Sequence, residues 1–171
     1  VNQKGRTFIY TNQHVIGDVL NVSITDSRGK NVELGQLEVS DKHDIARYRV
    51  KNRKAFVLED KVQPSSVAFV YGNSLGAGVI TASEANVMGI GPDQIEVDAD
   101  FVPGNSGGPV VDKDNKVIGV ATYMVGPSDI PDWVTDETRY DKTRRFTIRP
   151  SRIDDWIPVQ PIQYADQRKI L

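Results

Sequence analysis

Ser106 sits in Pro103-Gly104-Asn105-Ser106-Gly107-Gly108-Pro109, between glycines and with a proline at each end. Glycine lets the backbone take conformations closed to other residues, and it lets a substrate approach the main chain. A serine held on such a turn presents its hydroxyl outward, and the N–H groups beside it can converge on one point. That geometry suits a nucleophile with its own oxyanion hole. The same string also reads as a tight turn between two strands. A base and an orienting acid elsewhere in the chain decide between the two.

A hydroxyl near neutral pH is a poor nucleophile unless a base lies within hydrogen-bond reach and a third group fixes that base's tautomer. Histidine is the usual base because it titrates near neutrality. The chain has two histidines, His14 and His43. His14 stands at the end of an apolar strand, in Thr11-Asn12-Gln13-His14-Val15-Ile16. His43 lies in the charged run Ser40-Asp41-Lys42-His43-Asp44 and is read as a structural or solvated residue. His43 and Asp44 are neighbours, so on a strand they point to opposite faces and cannot pair. Asp44 heads the apolar run Ile45 to Val50, where a carboxylate can be held partly buried to orient an imidazole. The alternative for Asp44 is a turn carboxylate, as Asp41 is read.

The elements that must position these residues are short β-type runs separated by turn signals. They are Arg6 to Thr11, Asp18 to Thr25, Asn31 to Val39 and Asp44 to Val50. Gln63-Pro64-Ser65-Ser66 then breaks the pattern and divides the chain into halves, 1–62 and 63–171. The second half holds Val67 to Tyr71, Val79 to Ile90 and Gln94 to Phe101. A hairpin of Pro109 to Val111 and Lys116 to Val125 follows, then a long loop from Gly126 to Arg145. A last strand runs from Thr143 to Arg149, and Ser151 to Ile157 is expected as a short C-terminal helix capped by Ser151. Many strands, few helices and frequent turns predict an all-β barrel or sandwich.

Composition narrows the function classes. The 171 residues suit one domain or two small packed halves, and 39% hydrophobic with 26% charged residues suits a globular protein. A net charge of −2 offers no strong field for nucleic acid or a membrane surface. No apolar run reaches the ~18 residues of a membrane span. The polar start Val1 to Arg6 is not a signal peptide, which leaves the compartment open, an extracytoplasmic or secreted one included. Cysteine is absent, which excludes thiol catalysis and disulfides. With two histidines and no cysteine, no metal site is expected, and no cofactor is called for.

Taken together, Thr11-Asn12-Gln13-His14-Val15, His43-Asp44-Ile45-Ala46 and Gly104-Asn105-Ser106-Gly107-Gly108-Pro109 resemble the motifs of the trypsin/chymotrypsin family of serine proteases. They occur in that family's His, Asp, Ser order at positions 14, 44 and 106, intervals of 30 and 62. The likeness runs from the His14 strand to Trp156. It is closer to bacterial trypsin-like proteases, including the high-temperature-requirement group, than to digestive trypsins. Val97-Asp98-Ala99 and Val117-Ile118-Gly119-Val120 share that flavour. The resemblance implies a chymotrypsin-like double β-barrel, six strands each, with a peptide cleft between them. It implies Ser106 as nucleophile, His14 as general base then acid, and Asp44 as orienting carboxylate. The N–H groups of Gly104 and Ser106 would form the oxyanion hole, with Asn105 setting the turn between them. Thr122-Tyr123-Met124 would pair with an extended peptide as an added strand. The implied partner is a peptide or protein substrate.

Several positions depart from that family. Digestive-type zymogens are switched on when a new N-terminus pairs with an aspartate just before the nucleophile. Asn105 stands there and carries no charge, so no such activation is expected. Only 13 residues precede His14, where the family's first barrel has another strand. An N-terminal segment is then missing, or the first barrel is incomplete. After Trp156 too few residues remain for a PDZ-like domain. Asp100 stands six residues before Ser106, where trypsins place the acid that binds Lys or Arg. It also alternates onto one face with Glu96 and Asp98, which reads as a wet face. The loop 126–145, with Trp133, Arg139, Tyr140, Arg144 and Arg145, is expected either to shape the pocket or to be a solvated insertion. The competing function is a protease-fold module that only binds peptides.

Overall fold

The structure, a computed structural model, describes residues 1–17, 21–51, 53–126 and 143–160. In chain order its elements are β1 (Asn2–Gln3), β2 (Arg6–Thr11), a single-turn helix α1 (Gln13–Ile16), β3 (Leu37–Ser40), β4 (Ala46–Val50) and β5 (Val67–Gly72). There follow β6 (Thr81–Ile90), β7 (Gln94–Val97), β8 (Pro109–Asp112), β9 (Val117–Val125), β10 (Arg144–Ile148) and β11 (Trp156–Val159). The expected all-β architecture is present.

The second half is a closed six-stranded antiparallel barrel in the order β10-β7-β6-β5-β8-β9. Alternation builds its inside. Ala68 and Val70 of β5, Ala85 and Val87 of β6, and Ile95 and Val97 of β7 all point into one cluster with Ala99, Phe101, Val110, Ile118 and Ala121. The first half is a five-stranded sheet, β1-β2-β4-β3-β11, among the described residues, where six strands were expected. Ile16, Leu37, Val39, Ala46 and Tyr48 cover one part of it. A third cluster joins the halves: Phe8, Tyr10 and Ile45 of the first pack with Val120, Ile148 and Ile153 of the second. Ile45 is the residue after Asp44, so this seam lies directly behind the candidate chemistry.

Three expectations change. Residues 21–25 and 31–36 do not form long strands. A single Thr25–Asn31 bridge closes a turn in which Asp26 Oδ1 accepts the N–H groups of Arg28 and Lys30, both at 3.0 Å. A side chain that satisfies the turn's donors removes the need for a ladder there. Residues 18–20 lie outside the described residues.

The expected helix from Ser151 to Ile157 is one 3-10 turn, Pro150–Arg152. Ser151 does not cap it but donates to Asp60 Oδ1 at 3.0 Å. Trp156 instead opens β11, which pairs with β3 from Trp156↔Ser40 to Val159↔Leu37. A helix here would leave the β3 edge open, and strand pairing satisfies it. The last strand therefore crosses back to the first sheet.

His14 is the third change. The strand before it stops at Thr11, and His14 stands on α1.

Candidate active site

The short helix after β2 turns the chain out of the sheet, so His14 projects from its first turn with 44% of its side chain exposed. The loop between β3 and β4 delivers Asp44 to it. His14 Nδ1 lies 2.5 Å from Asp44 Oδ2, and the His14 main-chain N–H donates to Asp44 Oδ1 at 2.9 Å. One carboxylate thus grips both the ring and the backbone of one residue. A carboxylate only accepts, so Nδ1 carries the hydrogen and Nε2 is left as the basic nitrogen.

Ser106 comes from the second barrel, on the turn that leads into β8. Gly104 has φ +99° and Gly107 φ +82°, in the region where a side chain is strained. A Cβ on Gly104 would collide with the Asn73 carbonyl oxygen. A Cβ on Gly107 would stand 2.7 Å from Thr11 Oγ1, at the end of β2. Only glycine lets the serine turn lie this close to the segment carrying His14. The Asn105 N–H is used inside the turn, donating to the Val102 carbonyl at 3.0 Å. Among the described residues the N–H groups of Gly104 and Ser106 donate to no protein acceptor. Those two donors are free to meet a developing oxyanion, and Asn105 closes the turn between them.

Asn105 is buried, 1% exposed. Its Oδ1 accepts the Val102 N–H at 3.0 Å and the Ser74 hydroxyl at 3.2 Å, and Gly72 packs against its amide. Neutral hydrogen bonds order the loop at the position where an ion pair would need a charge.

The Ser106 hydroxyl donates to the Thr122 carbonyl at 3.5 Å. Among the described residues no hydrogen bond joins it to His14. Thr122 leads back to Asp44 through Asn12, which sequence reasoning passed over. Asn12 is fully buried, and its Nδ2 donates to the Asp44 carbonyl at 2.8 Å and to Thr122 Oγ1 at 3.0 Å. Thr122 Oγ1 spends its own hydrogen on the Val120 carbonyl at 2.8 Å, so it can only accept from Asn12. The signal was present in the sequence: an amide inside the motif that ends in His14.

The segment Thr122 to Val125 uses one edge to pair with β10, where Tyr123 faces Phe146 and Met124 faces Arg145. The opposite edge is occupied up to Ala121, which exchanges bonds of 2.9 Å with Gly107 and Gly108. Beyond Ala121 no strand among the described residues pairs with it. Tyr123 and Met124 are exposed there.

Asp100 does not sit on an enclosed floor. Its side chain is 94% exposed, and its carboxylate lies 3.5 Å from Arg145. Arg145 is itself anchored on the Phe101 carbonyl at 3.0 Å. Glu96 is no wet-face residue either: it is buried and takes a two-pronged bond from Arg144 at 2.9 and 2.8 Å. Trp133, Arg139 and Tyr140 lie outside the described residues.

His43, read as solvated or structural, is tied on every polar atom. Its Nε2 lies 2.6 Å from Asp93 Oδ2, and its Nδ1 lies 3.2 Å from Ser40 Oγ. Ser40 Oγ also donates to Asp155, at 2.8 Å to Oδ1. Burial alone would raise the Asp155 carboxyl; the Ser40 hydroxyl, the Lys42 N–H and the nearby His43 outweigh it and hold the group below its ordinary range. Among the described residues no cluster of His, Asp and Glu could hold a metal. None of their helices is long and apolar enough to cross a membrane.

Comparison with known proteins places this geometry in context. The family model described as trypsin-like peptidase domain matches residues 1–120. A DegP-like periplasmic serine endoprotease of Chlamydia pneumoniae is 32% identical over 133 residues, 71% of this chain and 27% of that protein. The periplasmic pH-dependent serine endoprotease DegQ of Escherichia coli is 28% identical over 134 residues, 70% of this chain and 29% of that one. The chain thus spans under a third of the length of these relatives. Among solved structures, the serine endoprotease from Yersinia pestis superposes with a TM-score of 0.65 at 22% identity, covering 83% of this chain and 49% of that one. The HtrA-type protease AlgW with decapeptide matches with the same score and identity over 84% of this chain and 45% of the other. These two likenesses bear on the fold, which is chymotrypsin-like.

Proposed function

This chain belongs to the trypsin-like peptidase family, and from that premise we propose that it hydrolyses peptide bonds as a serine endopeptidase, with Ser106 as nucleophile, His14 as base and Asp44 as orienting acid. The observation that carries the proposal is the double grip of the Asp44 carboxylate on His14 Nδ1 and N–H, at 2.5 and 2.9 Å. It sets the tautomer that an acyl transfer needs and stabilises the imidazolium formed during it.

In the proposed reaction the Ser106 hydroxyl leaves the Thr122 carbonyl and turns to His14 Nε2 when a substrate enters. Hydrogen bonds of this kind are commonly long before substrate binds. Ser106 Oγ attacks the peptide carbonyl carbon while its proton passes to His14 Nε2. The carbonyl oxygen becomes an oxyanion and meets the free N–H groups of Gly104 and Ser106. The intermediate collapses, and His14 gives the proton to the departing amine. Water then repeats the sequence on the acyl-serine and frees Ser106.

The substrate we infer is an extended peptide or protein segment. The open edge of Thr122 to Met124 next to Ser106 supports it, because a strand added there gains main-chain bonds whatever its sequence. A groove lined by Phe56, Tyr71, Ile80, Pro109 and Val111 adjoins Gly104 and Ser106 and favours apolar side chains. Relatives named periplasmic make an extracytoplasmic setting part of the proposal.

A fluorophosphonate probe, with casein as substrate, tests the reading. The folded protein is expected to be labelled at Ser106 and to cleave casein, and Ser106→Ala is expected to do neither while still binding peptide. A folded wild-type protein that binds peptide but is neither labelled nor active would instead be a peptide-binding module.

A further inference from the structure

The Asp44 carboxylate has no anchor of its own. Among the described residues both of its oxygens are spent on His14, and its position is inherited from the backbone of the 41–44 loop. Asn12 holds the Asp44 carbonyl, and His43 ties the rest of that loop to its surroundings. The Ser40 hydroxyl has one hydrogen, and it goes to the Asp155 carboxylate at 2.8 Å. Ser40 Oγ also lies 3.2 Å from His43 Nδ1 and accepts the His43 N–H at 3.0 Å. Asp93 Oδ2, 2.6 Å from Nε2, can only accept, so Nε2 donates to it. The ring therefore bridges Asp93 and the Ser40–Asp155 pair, with Asp155 Oδ1 at 4.0 Å from Nδ1.

The segments joined are far apart in the chain. Asp93 belongs to the turn between β6 and β7 of the second barrel, and its carbonyl accepts the Arg149 N–H at 2.8 Å. Asp155 immediately precedes β11, and it accepts the Lys42 N–H at 2.9 Å. The His43 carbonyl completes the arrangement by accepting Gln13 Nε2 at 2.6 Å, and the same nitrogen reaches the Ser40 carbonyl at 2.6 Å. Gln13 is the residue before His14. The ring of His43 thus pins the Asp44 loop to the second barrel, and its carbonyl pins the same loop to the helix carrying His14.

We propose that His43, clamped between Asp93 and the Ser40–Asp155 pair, is a positioning residue that holds Asp44 in register with His14. It touches no substrate. It acts by removing the freedom of a loop whose displacement by about 1 Å is enough to cost on the order of 100-fold in rate. The proposal rests on the roles given above to His14 and Asp44.

The test pairs kinetics with a readout that needs no turnover. His43→Gln keeps a polar side chain but cannot bridge Asp93 and Ser40 as the ring does. It is expected to lower kcat about tenfold, the worth of one charge-assisted hydrogen bond, with KM within about twofold. Asp93→Asn, at a half-exposed position, is expected to lower kcat by a smaller factor. The double variant should be no worse than His43→Gln alone, since both cut one linkage. In Ser106→Ala protein, nuclear magnetic resonance follows the proton between His14 Nδ1 and Asp44. Its far-downfield signal should be present with His43 intact and broadened or lost in His43→Gln.

Wild-type kcat in both folded single variants, or a His14–Asp44 proton signal unchanged by His43→Gln, overturns the proposal. Should His43→Gln fail to fold, Asp93→Asn decides by the same two readouts. A wild-type protein that cleaves nothing but loses the proton signal in His43→Gln keeps the positioning role and removes the peptidase reading.

Discussion

The His14 main-chain N–H and the His14 ring end on opposite oxygens of the single carboxylate of Asp44, at 2.9 and 2.5 Å. The two residues come from segments 30 positions apart, and both oxygens of the carboxylate are used on the one histidine. Their isolation from other carboxylate partners makes the pair sensitive to any change at Asp44.

Asp44→Asn is expected to keep the fold and lose roughly 10³–10⁴ in kcat, because an amide facing Nδ1 favours the wrong tautomer. KM for a peptide substrate should move little. Steady-state kinetics and fluorophosphonate labelling rates check both halves of this statement.

Gly104→Ala is expected to lower kcat by about 10²–10³, the worth of one oxyanion donor. The new methyl meets the Asn73 carbonyl at a φ of +99°, so the turn must move and take the Gly104 N–H with it. Gly5→Ala, at φ +75° with open space around it, supplies the comparison: strain without displacement of the site.

Asn12→Leu removes the donor shared by the Asp44 carbonyl and Thr122 Oγ1. A buried acceptor, Thr122 Oγ1, and the part-buried Asp44 carbonyl lose their partner, and unfolding in urea should show a loss of about 1–3 kcal/mol. Activity should fall further than stability explains, because the same amide joins the Asp44 loop to the strand beside Ser106. Thr122→Val tests this: combined with Asn12→Leu it should add less than its own single effect.

Acid sensitivity should trace in part to Glu59. Its carboxyl is held down to about 2, first by the Lys61 N–H and then by the Lys116 ammonium group at 3.0 Å. A lowered folded value means that the stabilisation is complete above the ordinary value of 4.5 and disappears as pH falls towards about 2. The stability gap between wild type and Glu59→Gln should therefore be full at neutral pH and close across that acid interval. Urea midpoints measured at successive pH values show whether it does.

Asp100→Ala is expected to leave the distribution of cleavage sites in a peptide library unchanged. Its carboxylate stands in solvent beside Arg145 and not at the base of a pocket. A shift away from cleavage after Lys or Arg would show that Asp100 reaches the substrate after all.

The reach of sequence reasoning differs from residue to residue. In Gln94 to Phe101 the apolar residues Ile95, Val97, Ala99 and Phe101 alternate with acidic ones, and all four are buried. The same alternation misjudged Glu96, because a two-pronged bond from Arg144, 48 residues away, takes it out of water. Ser151 had the form of a helix cap, but Asp60 competes for its hydroxyl and the open edge of β3 claims the residues that follow. His43 looked like a charged-loop residue because both of its acid partners, Asp93 and Asp155, are distant in sequence.

By itself the sequence determined the kinds of residue available and the local geometry that short-range sterics impose. Glycine at positions 104 and 107, an uncharged Asn105, and one histidine in an amide-rich strand end are such properties, and they need no partner to be read. The tertiary structure alone decided which groups meet. The grip of Asp44 on His14, the bridge from Asn12 to Thr122, the exposure of Asp100 and the clamp on His43 all join segments that only the packing of the two halves brings together. Hydrogen bonds and ion pairs act over a few ångströms, and distance along the chain sets no limit on distance in space.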